Sequence, residues 1–266
     1  MKIISSDYFK NIHDLINEPA YGAYPMTAYE NIVSVNASNV MPSIQNYLNT
    51  RGHCVLDLDS NNEYEIDFIT GLLTSYFGEP LTYKNRKQLP YMVVQSEKDT
   101  AYYVTSNWTQ PLHTDEGYIS QYPKTIALYC KQPSTSGGDS ILVEFQPLLD
   151  LLVRKYGDSV NALFEKDCLH VTGSHSWEKK PLLMNNSGKV GISYSPVLRE
   201  MICSDLVFEQ YDFITNYVHN PENQIRYSLK RNQILLLDNT QVLHSRTAFD
   251  DSDRLLYRYW FMGCEL

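Results

Sequence analysis

A chain of 266 residues with 43% hydrophobic and 20% charged side chains has an ordinary globular composition, which excludes a disordered, collagenous or low-complexity protein. Twenty-two basic against 31 acidic residues leave a net charge of −9, so a nucleic-acid partner, which requires Lys and Arg clustered against phosphate, is not expected. No apolar run approaches the roughly 18 residues of a membrane span, and the opening MKIISSDYFKNIHDL lacks the uninterrupted apolar stretch of a signal peptide; no membrane partner and a cytoplasmic location are the expectation.

In chain order, helices are predicted over Ser5 to Glu18, Met41 to Thr50 and Asn62 to Phe77, the last from Ile66, Ile69, Leu72, Leu73 and Tyr76 at helical spacing. Between the second and third, HCVLDLD (His53 to Asp59) reads as a strand. From about Pro90 the pattern changes to short runs dense in Val, Ile, Leu and Tyr between turn residues: YMVVQ, KTIALYCK, DSILVEF, GKVGISYS, QIRYSLK, NQILLLDN and LLYRYWFMG. That spacing predicts a sandwich or barrel, mainly β with flanking helices. Helical insertions are expected near 146–164 and 204–218. No Pro-, Gly- or Ser-rich linker and no internal repeat interrupts the chain, so 1–266 reads as one domain, with an α-rich flank over 1–80 and a β core over 90–266. Five scattered cysteines without a C-x-x-C pair suggest neither a disulfide framework nor a thiolate zinc site. The 21 tyrosines suit sheets or half-wet pockets.

The chemistry concentrates in PLHTDEGY, Pro111 to Tyr118. His113 and Asp115 stand two apart and would point the same way from an extended chain, so that imidazole and carboxylate share one ion. A second imidazole, His244 in DNTQVLHSR, follows the buried-strand run ILLLD. Two histidines and one carboxylate on neighbouring strands make a facial triad with open positions opposite, suited to non-haem Fe(II), although His2Asp plus water is also a catalytic zinc pattern. His13, His53, His170, His175 and His219 read as structural. In DRLLYRYWF, Arg254 and Arg258 would share a strand face with Leu256 and Trp260, and buried guanidinium groups need an anionic partner. In QPSTSGGDSILVEF, Gly137 and Gly138 permit the positive φ of a tight turn, with Ser140 at the start of the next strand. The segment Glu97 to Pro111 is polar, aromatic and weakly periodic, as lid loops often are.

Taken in order, these strings resemble the taurine dioxygenase and clavaminate synthase-like family of Fe(II)- and 2-oxoglutarate-dependent oxygenases: His-Thr-Asp, a Pro-x-x-x-x-Leu strand (Pro123 to Leu128), Gly-Gly-Asp-Ser, then Asn-x-x-x-x-His-x-Arg and a closing Arg strand. The match covers roughly Pro111 to Phe145 and Asp238 to Tyr259. The resemblance implies a double-stranded β-helix, a cupin-like jelly roll with helices outside. It implies that His113, Asp115 and His244 bind Fe(II), and that Arg254 with Ser140 holds the distal carboxylate of the co-substrate 2-oxoglutarate. Arg258 matches a position that meets the substrate's acidic group or, in some relatives, the co-substrate. The implied reaction consumes O2, releases succinate and CO2, and oxidises an unactivated C–H. The Asp at position 115 favours hydroxylation over halogenation; desaturation, cyclisation and oxidative cleavage use the same triad. A small carboxylate-bearing substrate, an amino acid or a derivative, is expected, with Tyr102, Tyr103, Trp108 and Tyr118 as candidate pocket walls. Two other readings remain: a zinc hydrolase, which gives Arg254, Ser140 and the Gly-Gly turn no common purpose, and a non-catalytic ligand-binding sandwich, which leaves the ordered strings as coincidence.

Overall fold

The computed structural model describes residues 1–59, 61–82, 88–96, 105–117, 122–172, 177–186, 188–250 and 253–262. The chain opens with β1 (Lys2–Ile4), α1 (Ser6–Ile16), α2 (Pro19–Gly22) and β2 (Ile32–Ser34), followed by α3 (Val40–Thr50), β3 (His53–Asp57) and α4 (Ile66–Phe77). The β-rich part begins with β4 (Met92–Val94), β5 (Thr125–Gln132) and β6 (Ser140–Glu144), then α5 (Phe145–Tyr156) and a 3-10 stretch, Gly157–Phe164. Next come β7 (Leu169–Thr172), β8 (Trp177–Lys180), β9 (Leu183–Asn186), β10 (Lys189–Ile192), β11 (Glu200–Cys203) and α6 (Asp205–His219). The last strands are β12 (Ile225–Tyr227), β13 (Gln233–Asp238), β14 (Val242–Arg246) and β15 (Leu255–Phe261).

Both insertions are helical as predicted. Ser204 caps α6, its hydroxyl accepting from the Val207 N–H at 3.2 Å. The third helix starts later than its periodicity suggested, at Ile66 and not at Asn62. Asp59 is the cause: its carboxylate accepts from the Asn61 N–H at 2.9 Å and the Asn62 amide at 3.1 Å, a local turn that competes with helix. The strands β1, β2, β8, β9 and β11, each three or four residues long, were not anticipated.

Among the described residues two sheets face each other across the core. One is ordered β2-β3-β13-β5-β15-β4, the other β12-β6-β14. Leu235 and Leu237 of β13, Ile126 and Cys130 of β5 and Leu256 of β15 meet Leu142 and Val242 from the opposite sheet. The outer face of the larger sheet carries Ile234, Leu236, Tyr129, Tyr259 and Phe261 under Ile44, Leu48, Ile69 and Leu73 of α3 and α4. The outer face of the smaller sheet, with Ile141, Val143 and Leu243, packs under α1, α5 and α6. Both faces of β13 are therefore covered, which is why its apolar run is continuous where a half-exposed strand would alternate. This is the predicted jelly roll, mainly β, with helices outside. A further sheet, β1-β11-β7-β8, and the hairpin β10-β9 extend one end. Among the described residues Cys54, Cys130, Cys168 and Cys203 are buried free thiols. No helix among the described residues is long and apolar enough to cross a membrane.

Candidate metal centre

Strand alternation sets the walls of the site. Arg254, just before β15, and Leu256, Arg258 and Trp260 along it fall on one face, as their spacing predicted, and Tyr257, Tyr259 and Phe261 on the other; the structure turns the arginine face inward. Both arginines are buried, at 4% and 8% exposure. On the facing sheet His244 lies opposite Leu142 and Arg246 opposite Ser140, all on the inner side. A cleft enclosing roughly 450 Å³, its solvent mouth included, opens between the sheets. Its lining includes His113, His244, Ser140, Arg246, Arg254 and Arg258, with Gln110 and the apolar Val94, Leu128 and Leu256.

The first imidazole reaches this cleft through a single antiparallel bridge. The His113 N–H donates to the His244 carbonyl at 3.1 Å and the His244 N–H returns a bond at 2.9 Å. Directly opposed residues project to the same side, and the two ring centroids lie 4.5 Å apart. The extended conformation expected for the string holds only to this point. Asp115 opens a turn in which Glu116 has φ 57° and the Gly117 N–H donates to the Thr114 carbonyl at 3.0 Å. The turn is packed so closely on the segment after β10 that a Cβ at residue 117 would lie 2.5 Å from the Tyr194 carbonyl oxygen. It still brings the carboxylate alongside both imidazoles: Asp115 Oδ1 is 3.4 Å from His113 Nε2 and 3.7 Å from His244 Nε2.

The turn is held from several sides. The Asn239 amide accepts from the Asp115 N–H at 2.7 Å and donates to the Asp115 and Pro123 carbonyls, each at 2.9 Å. The ammonium of buried Lys180 donates to the Gly117 carbonyl and, at 2.6 Å each, to the carbonyl and hydroxyl of Ser193. Burial pushes that ammonium down to about 7. Ahead of the turn, the Leu112 N–H donates to His219 Nε2 at 3.3 Å, while His219 Nδ1 bonds the Thr215 carbonyl at 2.9 Å. His219 therefore has a structural role, as the sequence suggested, and that role is to seat the strand carrying His113.

Protonation states favour a metal. His113 Nδ1 lies 2.8 Å from the Pro111 carbonyl, which can only accept, so Nδ1 carries a hydrogen and Nε2 is the ring nitrogen left facing Asp115. Burial, then the neighbouring His113, pushes His244 down to about 3, so it is neutral at physiological pH. Burial opposes ionisation of Asp115, but Arg258 and the two imidazoles outweigh it and hold the carboxyl well below the usual range. Two imidazole nitrogens and one ionised carboxylate thus lie within 4.8 Å of one another, a donor set that fits a divalent transition metal.

The arginines divide the cleft into two ends. Arg258 Nη1 donates to Asp115 Oδ1 at 3.1 Å, so the anionic partner its burial demanded is the candidate metal ligand itself. Arg254 sits beside the Gly137-Gly138 turn, donating to the Gly138 carbonyl at 3.3 Å. These glycines have φ of 68° and 73°, as expected of the turn, and a Cβ on Gly138 would meet Arg254 Nε at 2.8 Å. Arg246, which sequence reasoning quoted in the His-x-Arg string but gave no role, is buried beside them. It donates to the Ser106 and Trp108 carbonyls at 2.8 and 2.7 Å. Arg246 and Arg254 both lie over the Phe249 ring, at 4.8 and 5.0 Å. Burial and then repulsion from Arg254 push Arg246 down to about 9. Its signal was the His-x-Arg spacing, which puts residue 246 on the face of His244. Trp108 is half exposed, lies outside the cleft lining and meets His13 edge-on at 6.2 Å; Tyr102, Tyr103 and Tyr118 lie outside the described residues.

Fold and site together define a jelly-roll protein with a cluster of two histidines and one carboxylate at a cleft between its sheets. The sequence profile of the taurine catabolism dioxygenase TauD, TfdA family matches residues 25–260, and the chain belongs to that family. It is 27% identical over 204 residues to Dioxygenase str8 of Strobilurus tenacellus, across 72% of this chain and 46% of that protein. It is 28% identical over 174 residues to the taurine hydroxylase-like protein SAT17 of Stachybotrys chartarum, across 59% and 43%. The chain thus spans less than half the length of these curated relatives. Its fold is similar to that of an asparagine oxygenase solved with Fe(II), hydroxyasparagine and succinate, at TM-score 0.68 and 13% identity over 97% of this chain and 92% of the other. It is equally similar to the non-haem iron oxygenase OrfP solved with Fe and alpha-ketoglutaric acid, at TM-score 0.68 and 13% identity over 85% and 80%.

Proposed function

We propose that this chain is one oxygenase domain that uses Fe(II) and 2-oxoglutarate to oxidise, by hydroxylation, a C–H bond of a small carboxylate-bearing metabolite. The carrying observation is the convergence of His113 Nε2, Asp115 and His244 Nε2 in a cleft whose far end holds Ser140, Arg246 and Arg254. Bound ferrous iron would supply the redox chemistry, coupling oxidative decarboxylation of 2-oxoglutarate by dioxygen to oxidation of the substrate.

Each residue then has a task. His113, Asp115 and His244 would hold the ion at the cleft. Arg254, fixed between the Gly138 carbonyl and Phe249, binds the distal carboxylate of 2-oxoglutarate with Ser140, and Arg246 adds positive potential behind them. Arg258, tied to Asp115, belongs to the metal end, which favours Arg254 over it as the distal anchor. Arg258 is the cation nearest an arriving substrate acid. The segment 105–110 is fastened to β14 through Arg246 and the Gln110 N–H bond to the Arg246 carbonyl at 2.9 Å, and its Gln110 lines the cleft. An amino acid or a derivative is the proposed substrate, supported by Arg258 and by the shared fold of the asparagine oxygenase and of OrfP, itself solved with hydroxylated arginine. The zinc-hydrolase alternative gives the buried arginine end of the cleft no use.

Anaerobic titration of 2-oxoglutarate into the Fe(II)-loaded protein tests the reading. A weak visible charge-transfer band is expected, and His244→Ala abolishes it. No band in the intact iron-loaded protein refutes the proposal. A panel of amino acids and small acids, scored by stimulated succinate release, then identifies the substrate.

A further inference from the structure

Asp115 offers two oxygens of identical intrinsic chemistry, and the structure treats them differently. Oδ1 faces the two imidazole Nε2 atoms and Arg258 Nη1. Oδ2 accepts a hydrogen bond from the indole Nε1–H of Trp260 at 2.6 Å. Asn239, the other close partner of this residue, holds only its backbone. Trp260 reaches the carboxylate because it follows Arg258 by two positions on the inner face of β15. The Arg258 guanidinium lies over the indole, 4.5 Å from the ring centroid, which keeps the N–H edge turned toward Asp115.

Resting on the metal reading above, we propose that Trp260 is a positioning residue of the metal centre: its indole N–H occupies one oxygen of Asp115 and commits the other to the metal. The consequence is coordination by a single oxygen. A metal held by two imidazoles and one carboxylate oxygen keeps three positions for a chelating keto acid and dioxygen. Coordination through both oxygens would take one of these away. Hydrogen bonds to ligating carboxylates also set ligand orientation, and losing such a partner typically costs about 10–100-fold in metal affinity.

The test uses Mn(II) added to the metal-free full-length protein without turnover, read by electron paramagnetic resonance, with the thermal midpoint of the metal-free protein alongside. Trp260→Phe keeps an aromatic ring and removes the N–H; Trp260→His keeps an N–H on a smaller ring. Trp260→Phe should weaken Mn(II) about 10–100-fold with little change in the metal-free midpoint, and Trp260→His should recover part of that loss. A crystal structure of the Mn(II)-loaded wild type should show Asp115 bound through Oδ1 with Oδ2 still on the indole. The inference is overturned by wild-type affinity in Trp260→Phe, by equal losses in the Phe and His variants, or by two-oxygen coordination in the crystal. The crystal result decides the matter should the Phe variant not fold. No Mn(II) or Fe(II) binding by the wild type would overturn the oxygenase reading and this inference with it. Wild-type binding with an unaffected Phe variant would overturn the inference alone.

Discussion

At the scale of single residues, the site is organised by which buried charge has a partner. Arg258 and Asp115 lie 3.1 Å apart with under a tenth of either side chain exposed, so removing either charge strands the other in a poorly solvated place. Asp115→Asn should therefore cost more than a metal ligand. We expect loss of the 2-oxoglutarate charge-transfer band together with a lower thermal midpoint of the metal-free protein; an unchanged midpoint would show that the pair is not energetically coupled. Arg254 differs, because its geometry matters as much as its charge. A lysine cannot reproduce the two-pronged grip of a guanidinium on a carboxylate. Arg254→Lys should raise the dissociation constant for 2-oxoglutarate by about 10–100-fold, equivalent to about 1.5–3 kcal/mol for a charge-assisted contact, while Mn(II) binding stays at the wild-type level. Calorimetric titration of 2-oxoglutarate into the Mn(II)-loaded protein checks both halves.

Elements matter through the way they hold the turn at Asp115. The turn lies between β10, β13 and the bridge to β14, and no single strand determines its shape. Asn239, in the connection after β13, satisfies the Asp115 N–H and carbonyl and the Pro123 carbonyl at once. Asn239→Ala leaves these buried groups unpaired, and at about 1–3 kcal/mol for an unsatisfied group a destabilisation of roughly 2–4 kcal/mol is expected. Equilibrium urea unfolding measures it, and a change below about 0.5 kcal/mol would mean that water replaces the amide at no cost. This explains in physical terms why Asn stands five residues before His244 in the string: it ties one metal-ligand segment to the other. Gly117→Ala acts on the same turn from the opposite side. Its Cβ would press on backbone, at 2.5 and 2.7 Å from Tyr194 O and C, where nothing flexible can yield. Weaker Mn(II) binding with preserved far-ultraviolet circular dichroism is the expected result; wild-type affinity would show that the turn has slack.

At the scale of the whole molecule, the buried neutral histidines couple folding to pH. His219 is held by the Leu112 N–H and the Thr215 carbonyl, and burial pushes it down to about 4 from an ordinary 6.5. Between those values the unfolded chain binds a proton that the native protein does not, so stability is full above about pH 6.5 and falls as pH drops toward 4. The loss from this residue is roughly 3 kcal/mol, and His244, pushed down to about 3, adds to it in the metal-free protein. His219→Gln, which can keep an acceptor and a donor without titrating, should flatten the thermal midpoint between pH 6.5 and 4. An equally steep variant would assign acid lability elsewhere.

Much was legible in the sequence. Apolar alternation and runs located the principal strands, the face shared by Arg254 and Arg258, and the helical insertions, because a strand's two faces and a helix's stripe repeat over a few residues. The ordered strings PLHTDEGY, GGDS and DNTQVLHSR marked His113, Asp115, His244 and Ser140, since residue chemistry at short spacing is local. What the chain order could not carry was decided by tertiary structure. Trp260 meets Asp115 from a strand far along the chain, Lys180 reaches Gly117 from β8, His219 seats Leu112 from the end of α6, and Arg246 acquires its neighbours only when β14 and β15 face one another. A hydrogen bond acts over about three ångströms and leaves no periodicity behind. The identity of the ligand types was therefore written in the chain, while the partners that orient them exist only once the two sheets have closed.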